Sequence, residues 1–343
     1  MRSTLVFWAF ALSITFISAQ NPAREVAVIG FYNLENLFDT IDTPDIRDEE
    51  FTPHGGRGWD TERYLEKQAH MARVIADIGT QVSPVGAIVL GISEVENRKV
   101  LEDLVAQPVL ADRHYQIVHF DSPDERGIDV ALLYQARYFQ PFYSKVYPLY
   151  LTHSDGSTDY TRDLLVVSGT LLGDTIHLLV NHWPSRSGGE QASRHKRIKA
   201  AKQVKHVVDS ICAVQPTARI IIMGDLNDDP VSPSVRQVLH PVSKKRLAKG
   251  CTLYNPMFDL YRRGFGTLAW RDTWNLFDQM IVSGNLVHPP DTGFRFHTAH
   301  IFKKKYLVQQ SGRYKGYPLR TFAGGAYLGG YSDHFPVFIV LIR

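Results

Sequence analysis

The 343-residue chain has only two cysteines, Cys212 and Cys251. So few exclude a disulfide-dense scaffold, and without a Cys-x-x-Cys spacing they exclude a structural zinc site. An excess of one charge is also missing: 38 Lys and Arg face 35 Asp and Glu, a net +3. Proteins held to nucleic acid by bulk charge alone are more basic, so any polyanion must be gripped by a local site. Beyond the N-terminus no apolar run is long enough to span a membrane. There is no repeat and no Pro/Ser/Gly linker to mark a boundary, so residues 20–343 are expected to form a single domain, a monomer in solution. Composition is that of a globular chain, 44% apolar and 21% charged, with length enough for a well-buried core.

What is present starts at the N-terminus. Arg2 precedes the apolar run Leu5–Ile17, and Ser18, Ala19 and Gln20 follow. A basic start, a short apolar core and a small residue before polar sequence make residues 1–19 a signal peptide, cleaved after Ala19. The run is short for an uncleaved anchor, and no cysteine follows it to carry a lipid. The protein is expected outside the cytoplasm, secreted or in the periplasm or cell envelope. Export permits a disulfide. Cys212 ends an apolar helical stretch, so it either pairs with Cys251 or stands as a buried thiol.

Short Val-, Ile- and Leu-rich runs recur at Val26–Phe31, Ala87–Ile92, Tyr115–Phe120, Val130–Tyr134, Leu164–Thr170, Thr175–Val180, Arg219–Met223, Phe277–Val282 and Pro336–Ile342. They read as buried strands. One helix is expected with Leu65, Ala69, Ala72, Ile75 and Ala76 on its apolar face, Asp60 as N-cap and Gly79 as stop. A second carries Ile198, Ala201, Val204, Val208 and Ile211 on one face, with Arg194, Lys196, Arg197, Lys199, Lys202 and Lys205 as a solvated surface. Many strands and few helices, without strict alternation, point to an α/β (α+β) four-layer sandwich: two packed, mostly antiparallel sheets flanked by helices.

Polar clusters end these runs, where α/β proteins place their sites. Asn33-Leu34-Glu35-Asn36 follows the first and Ser93-Glu94-Val95-Glu96 the second. Asn181-His182, Gly224-Asp225-Leu226-Asn227, Asp278 and Ser332-Asp333-His334 stand at others. On an extended strand Glu94 and Glu96 would share a face. Hard oxygen donors of this kind suit Mg²⁺, Mn²⁺ or Ca²⁺. Histidines beside carboxylates can donate to a phosphoryl oxygen or move a proton. Metal, activated water and donors around developing charge are the parts of phosphoester hydrolysis.

In this order, Asn33/Glu35, Glu94, His182, Gly224-Asp225-Leu226-Asn227, Asp278 and Ser332-Asp333-His334 resemble the endonuclease/exonuclease/phosphatase superfamily over residues 25 to 343. That superfamily includes pancreatic-type deoxyribonucleases, abasic-site endonucleases, inositol-polyphosphate phosphatases and bacterial sphingomyelinases. The local context looks like its secreted or envelope bacterial branch. The resemblance implies that Glu94, Asn33 and Asp333 hold the metal, with Glu35 close by. It implies that Asp225 orients or deprotonates the attacking water and that Asn227 holds phosphate or that water. His334, oriented by Asp278, then stabilises the transition state or donates a proton, and His182 faces the phosphate. Ser93 and Gln279 depart from residues common at those positions.

Arg126, Arg186 and Trp274 are further candidates for substrate contact, and Asp129 lies in a strand whose start approaches the phosphate in this superfamily. The expected activity is metal-dependent phosphodiester hydrolysis, with nucleic acid as the substrate and Lys244-Lys245-Arg246 and Lys303-Lys304-Lys305 tracking its backbone. The alternatives are a phospholipid head group, for which Tyr147–Leu151 is the one candidate apolar hairpin, and a phosphorylated small molecule. A catalytically inactive binding module is a third reading.

Overall fold

The computed structural model describes residues 25–153 and 155–343, so the expected signal peptide lies outside the described residues. Numbering only the strands of the two large sheets in chain order, β1 is Val26–Leu37, β2 Ala87–Val95, β3 Tyr115–His119 and β4 Asp129–Gln135. These are followed by β5 Phe139–Tyr147, β6 Leu164–Leu171, β7 Asp174–His182 and β8 Arg219–Asp225. The last four are β9 Leu253–Tyr254, β10 Asp278–Ser283, β11 Arg295–Ile301 and β12 Val337–Ile342. One six-stranded sheet has the order β11-β12-β1-β2-β4-β3 and the other β9-β10-β8-β7-β6-β5. Each contains one parallel pair, β1 with β2 and β7 with β8, and is otherwise antiparallel.

The period-2 alternation of side chains divides the core into three layers. Ala27, Ile29 and Phe31 of β1 meet Ile221 and Met223 of β8 and Leu178 and Val180 of β7 between the sheets. Gly91 of β2 faces Met223 there; a Cβ would lie 2.5 Å from its sulfur, so a larger residue would push the Met223 side chain aside. On the outer face of the first sheet, Val28 and Leu90 pack against Met71, Val74 and Ile75 of helix α1 (Thr61–Asp77). On the outer face of the second, Leu179, Ile220 and Ile222 pack against Ala201, Val204 and Val208 of helix α3 (Glu190–Val214). Helix α2 (Arg98–Val105) follows β2. The result is helix, sheet, sheet, helix, as the patterning indicated.

All nine expected strands are present. The three that the pattern missed, β5, β9 and β11, lie at sheet edges. Solvent-facing residues break up the apolar run in two of them, Tyr143 and Lys145 in β5 and Arg295 and His297 in β11, while β9 is only two buried residues long. The N-cap of α1 is Asp60, whose carboxylate accepts from Arg63 N, and Gly79 follows its end at φ +78°. Ala72 and Ile75 are buried as expected, but in the N-terminal half the buried face is shifted by one residue: Tyr64, Lys67, Gln68 and Met71 are buried, whereas Leu65 is 55% exposed. The shift comes from two buried polar residues that an apolar pattern cannot register. Arg197 in α3 likewise leaves the expected solvated surface. It is fully buried, with Nε 2.8 Å from Asp228. Cys212 and Cys251 are bonded, tying the end of α3 to the loop before β9.

The two parallel pairs decide where chemistry collects. α1 connects β1 to β2 and α3 connects β7 to β8. Asn33, Glu94, His182 and Asp225 therefore stand at the C-terminal ends of four strands, on one end of the sandwich. β10 begins and β12 is entered at that same end, next to Asp278 and His334.

Candidate active site

Asp225 is the centre of the cluster. Gly224 before it lies so close to β7 that a Cβ would meet Asn181 O at 2.2 Å, which explains the glycine of Gly-Asp-x-Asn. Asn33 Nδ2 donates to Asp225 Oδ2 and to Glu94 Oε1, both at 3.1 Å. His182 Nε2 stands 3.6 Å from Glu94 Oε1 and 3.7 Å from Asp225 Oδ2. His334 Nε2 approaches the same Asp225 oxygen at 3.9 Å, while its Nδ1 is 2.6 Å from Asp278 Oδ2. Asn227 N donates to Asp225 Oδ1 at 2.9 Å.

The backbone is bent to make this possible. Glu35, Asn36, Glu94 and Asn227 all have φ between +48° and +60°, a left-handed conformation that costs non-glycine residues energy and gathers at functional sites. At Glu94 the β2–β4 register slips between Ser93 and Val95, a bulge that re-aims the side chain. The expected shared face of Glu94 and Glu96 is therefore broken. Glu94 Oε2 accepts from Asn36 N at 3.0 Å, whereas Glu96 turns to Asp39 N and Thr43 Oγ1. The Ser332-Asp333-His334 turn is sewn to β1: Ser332 Oγ donates to Asn33 O at 2.7 Å and accepts from His334 N at 3.0 Å.

Charge is distributed unequally. Among the described residues no arginine or lysine forms an ion pair with Glu94 or Asp225, and burial pushes the Asp225 carboxyl up to about 7. Two neighbouring carboxylates that share one charged histidine, His334 at 3.9 Å from Asp225, still carry excess negative charge that a hard divalent ion would complete, so the donor set fits one. Burial, then Arg162 and Arg126, hold His182 well below the usual histidine range, so it is neutral. Its Nδ1 is buried without a partner. Burial opposes charge on His334 as well, but Asp278 and Asp225 outweigh it and raise its pKa well above the ordinary value. The acidic half of the Ser-Asp-His turn is compensated: Arg320 Nη2 donates to Asp333 at 2.9 Å and its Nε to Glu35 Oε1 at 3.2 Å.

Of the residues expected at the site, the structure gathers Asn33, Glu94, His182, Asp225, Asp278 and His334 directly, with Asn227 braced beside them. Asn33 presents its amide N–H to the carboxylates, and its oxygen accepts from Glu35 N. It holds Glu94 and Asp225 together rather than offering an oxygen ligand. Asp333 belongs to neither of the groups at the site that converge within 4.8 Å, Glu94–His182–Asp225 and Asp225–Asp278–His334, but it stands at their edge: one oxygen pairs with Arg320 and the other lies 3.9 Å from His334 Nε2. Arg126 is half exposed at the rim, 3.6 Å from Asp124. Arg186 does not face the site. It bonds Asn227 O, Asp228 and Asp229 and lies over the Phe277 ring, so it fixes the loop after β8. Trp274 stacks on Phe335 and packs against Tyr317. Asp129 is spent on His119 Nε2 and Ser122 N.

Other expectations fail on position. Lys245 reaches Phe296 O near the C-terminal end of β12, and β12 runs away from the site. The Lys244–Arg246 stretch is therefore at the opposite end of the sandwich. Within Tyr147–Leu151, Leu151 is buried, Tyr147 and Leu149 pack toward α3, and only Tyr150 is strongly exposed, so no apolar hairpin projects. Sequence reasoning missed Arg320, Lys67 and Arg162. Lys67 is fully buried beneath the site, bonding Thr321 Oγ1 and Tyr331 O and standing 4.0 Å from Glu35. Arg162 bonds Asp124 and Trp183 O behind His182. Each is an isolated cation whose partners are far away in sequence, so no local motif announces it.

Comparison with known proteins agrees with this fold. No curated protein sequence matches the chain. Among solved structures, Danio rerio TDP2 complexed with single strand DNA product is 15% identical at a TM-score of 0.53, covering 92% of this chain and 98% of that one. An endonuclease/exonuclease/phosphatase family protein from Bacteroides thetaiotaomicron is 15% identical at 0.54, covering 93% and 98%. A mannosyl-6-phosphatase from Bacteroides thetaiotaomicron VPI-5482 is 16% identical at 0.53, covering 92% and 100%. At these identities the likeness is one of fold. The sequence model of one family matches residues 28–343, nearly the whole chain. The chain thus belongs to the Endonuclease/Exonuclease/phosphatase family, whose members are phosphoester hydrolases.

Proposed function

We propose that this protein is an exported, divalent-metal-dependent phosphodiesterase acting on nucleic acid. The observation that carries the chemistry is the convergence on Asp225 Oδ2 of Asn33 Nδ2, His182 Nε2 and His334 Nε2 beside the uncompensated Glu94. Glu94 and Asp225 are the residues that would hold the metal, which supplies charge neutralisation at the phosphoryl oxygens. Asp225 orients the attacking water and takes its proton. His334, kept charged by Asp278 and Asp225, presents Nε2–H to the charge that develops on the phosphoryl group. Asp278 fixes the ring by holding Nδ1. Neutral His182 offers a second N–H from the opposite wall, and Asn33 keeps the two carboxylates at one spacing.

Nucleic acid is favoured by the cationic rim, where Arg126, Arg320 and Lys303 surround an acidic centre, and by the DNA product in the related TDP2 structure. The mannosyl-6-phosphatase of the same fold favours a phosphomonoester as the second reading. The packed Tyr147–Leu151 segment removes the one feature that spoke for a lipid. We further read residues 20–343 as a monomeric, single-domain mature protein. Export rests on the basic start and apolar run of residues 1–19, and a mature N-terminus at Gln20 would support it.

A substrate panel tests the activity: plasmid, single-stranded DNA, RNA, a sugar 6-phosphate, sphingomyelin and a bis-aryl phosphodiester, each with Mg²⁺ or Mn²⁺ and with chelator. Metal-dependent cleavage of a nucleic acid is expected. Turnover of the sugar phosphate or lipid alone overturns the substrate reading, and no turnover of any phosphoester overturns the hydrolase reading.

A further inference from the structure

Beside the catalytic pair a small hairpin leaves the body of the protein. Leu268–Trp270 pairs with Thr273–Asn275, and Arg271 and Asp272 between them have φ of +48° and +62°. Two consecutive left-handed residues make the tight turn whose twist matches paired strands. The base of this hairpin is built into the site. Thr267 O accepts from Phe335 N at 2.8 Å, next to His334, and the chain runs from Asn275 directly to Asp278. Its tip is pinned: Asp272 N and Oδ1 both bond the hydroxyl of Tyr317, at 2.7 and 2.6 Å.

Rings continue from the surface to the catalytic histidine. Tyr314 packs on Tyr317 at 5.6 Å, Tyr317 on Trp274 at 5.8 Å, and Trp274 on Phe335 at 6.1 Å, near parallel. At the outer end Tyr314 is 49% exposed, and Trp270, in the hairpin strand before the turn, is 63% exposed. Trp270, Tyr314 and Trp274 each have a cation beside the ring. Arg271 lies 5.5 Å from the Trp270 ring, Arg313 5.7 Å from Tyr314, and Lys303 4.7 Å from Trp274. A rigid, exposed ring beside a guanidinium is the pairing that holds an unstacked base and its phosphate. Base pairs in a duplex keep their faces covered, so this surface selects single strands. Its aliphatic content is too low, and its cations too evenly interleaved, for insertion into a bilayer.

We propose that the face formed by the 268–275 hairpin and the 313–317 segment binds single-stranded nucleic acid. Trp270 and Tyr314 stack on bases, Arg271 and Arg313 contact phosphates, and the strand is led toward His334. This rests on the nucleic-acid reading of the site, but its test does not need turnover. Binding of a fluorescent twelve-nucleotide single strand to the full mature chain, in chelator, is followed by anisotropy. Trp270→Ala and Tyr314→Ala should each weaken binding about tenfold, Trp270→Phe should restore most of it, and Arg271→Gln should flatten the salt dependence by about 0.7 in log–log slope. Hydrolysis of the bis-aryl diester, too small to reach the hairpin, should be unchanged in all four variants. Wild-type affinity in both alanine variants, preference for duplex, or transfer of the Trp270 effect to anionic phospholipid vesicles overturns the proposal. Failure of the wild type on the bis-aryl diester and every other phosphoester overturns the enzymatic reading instead, leaving the binding result to stand or fall alone.

Discussion

Asp278 Oδ2 lies 2.6 Å from His334 Nδ1, and both side chains are buried. The carboxylate holds the ring so that Nε2 faces Asp225, and its charge favours the protonated ring against the pull of burial. Asp278→Asn keeps the shape and removes the charge. Burial then prevails, and the histidine loses its proton at lower pH. The alkaline limb of the kcat/KM profile should move toward acid, and the rate near pH 8 should fall about 10²-fold or more, within the range for a positioned acid or base. An unchanged limb with a uniformly lower rate would assign Asp278 to packing alone.

The pair was legible in the sequence because strand-end polar residues carry local signatures. Asp278 opens an apolar run, and Ser332-Asp333-His334 precedes one. What the sequence hid has a common physical cause. Lys67 sits in a helix whose spacing suggests a solvated lysine, and only the fold shows that Thr321, Tyr331 and Glu35, more than two hundred and fifty residues away in the case of the first two, close around it. Strand alternation puts Glu94 and Glu96 on one face, and a bulge between Ser93 and Val95 breaks that alternation. Of the edge strands, β5 and β11 show no apolar run because one side faces water, and β9 is too short at two residues to form one.

Glu94 and Asp225 face each other with Asn33 between them; among the described residues neither pairs with an arginine or lysine, and the one charged group near them is His334, 3.9 Å from Asp225. Divalent metal should therefore stabilise the folded protein, and millimolar Mg²⁺ or Mn²⁺ should raise the melting temperature by several degrees. Glu94→Gln should abolish both that rise and phosphoester hydrolysis, while the metal-free variant melts at or above the metal-free wild type because a like-charge contact is gone. A metal-dependent rise that survives in Glu94→Gln would place the ion elsewhere.

Lys67 is completely buried, and burial lowers its pKa to about 8 while Glu35 opposes that shift. Glu35 in turn is pushed up to about 7 by burial and by Asp333. Removing the cation leaves Glu35 with Arg320 alone and Tyr331 O without its donor. Lys67→Met should cost about 3–5 kcal/mol in denaturant unfolding, the range for breaking a buried pair. Because Thr321 N also holds Glu35, the loop over the site should loosen, and KM should rise more than kcat falls. A loss below about 1 kcal/mol would show that the pair is replaceable by packing.

Asp163 tests the electrostatics away from the site. It is 6% exposed, one of its oxygens is buried without a partner, and burial, then Asp129, raises its carboxyl to about 6. A folded-state pKa above the ordinary carboxylate value means that the native protein holds this proton more tightly than the unfolded chain does. Its contribution to stability is present in full below about pH 4 and is lost as pH rises through 6. The loss is roughly 1–3 kcal/mol, taking 1.36 kcal/mol per pKa unit as the upper limit. Asp163→Asn mimics the neutral acid at every pH. It should unfold at higher denaturant than wild type at pH 7.5, and the gap should close at pH 4. A gap that stays constant between those pH values would mean that the asparagine acts through packing or its own hydrogen bonds, and that Asp163 ionises no differently in the folded and unfolded chains.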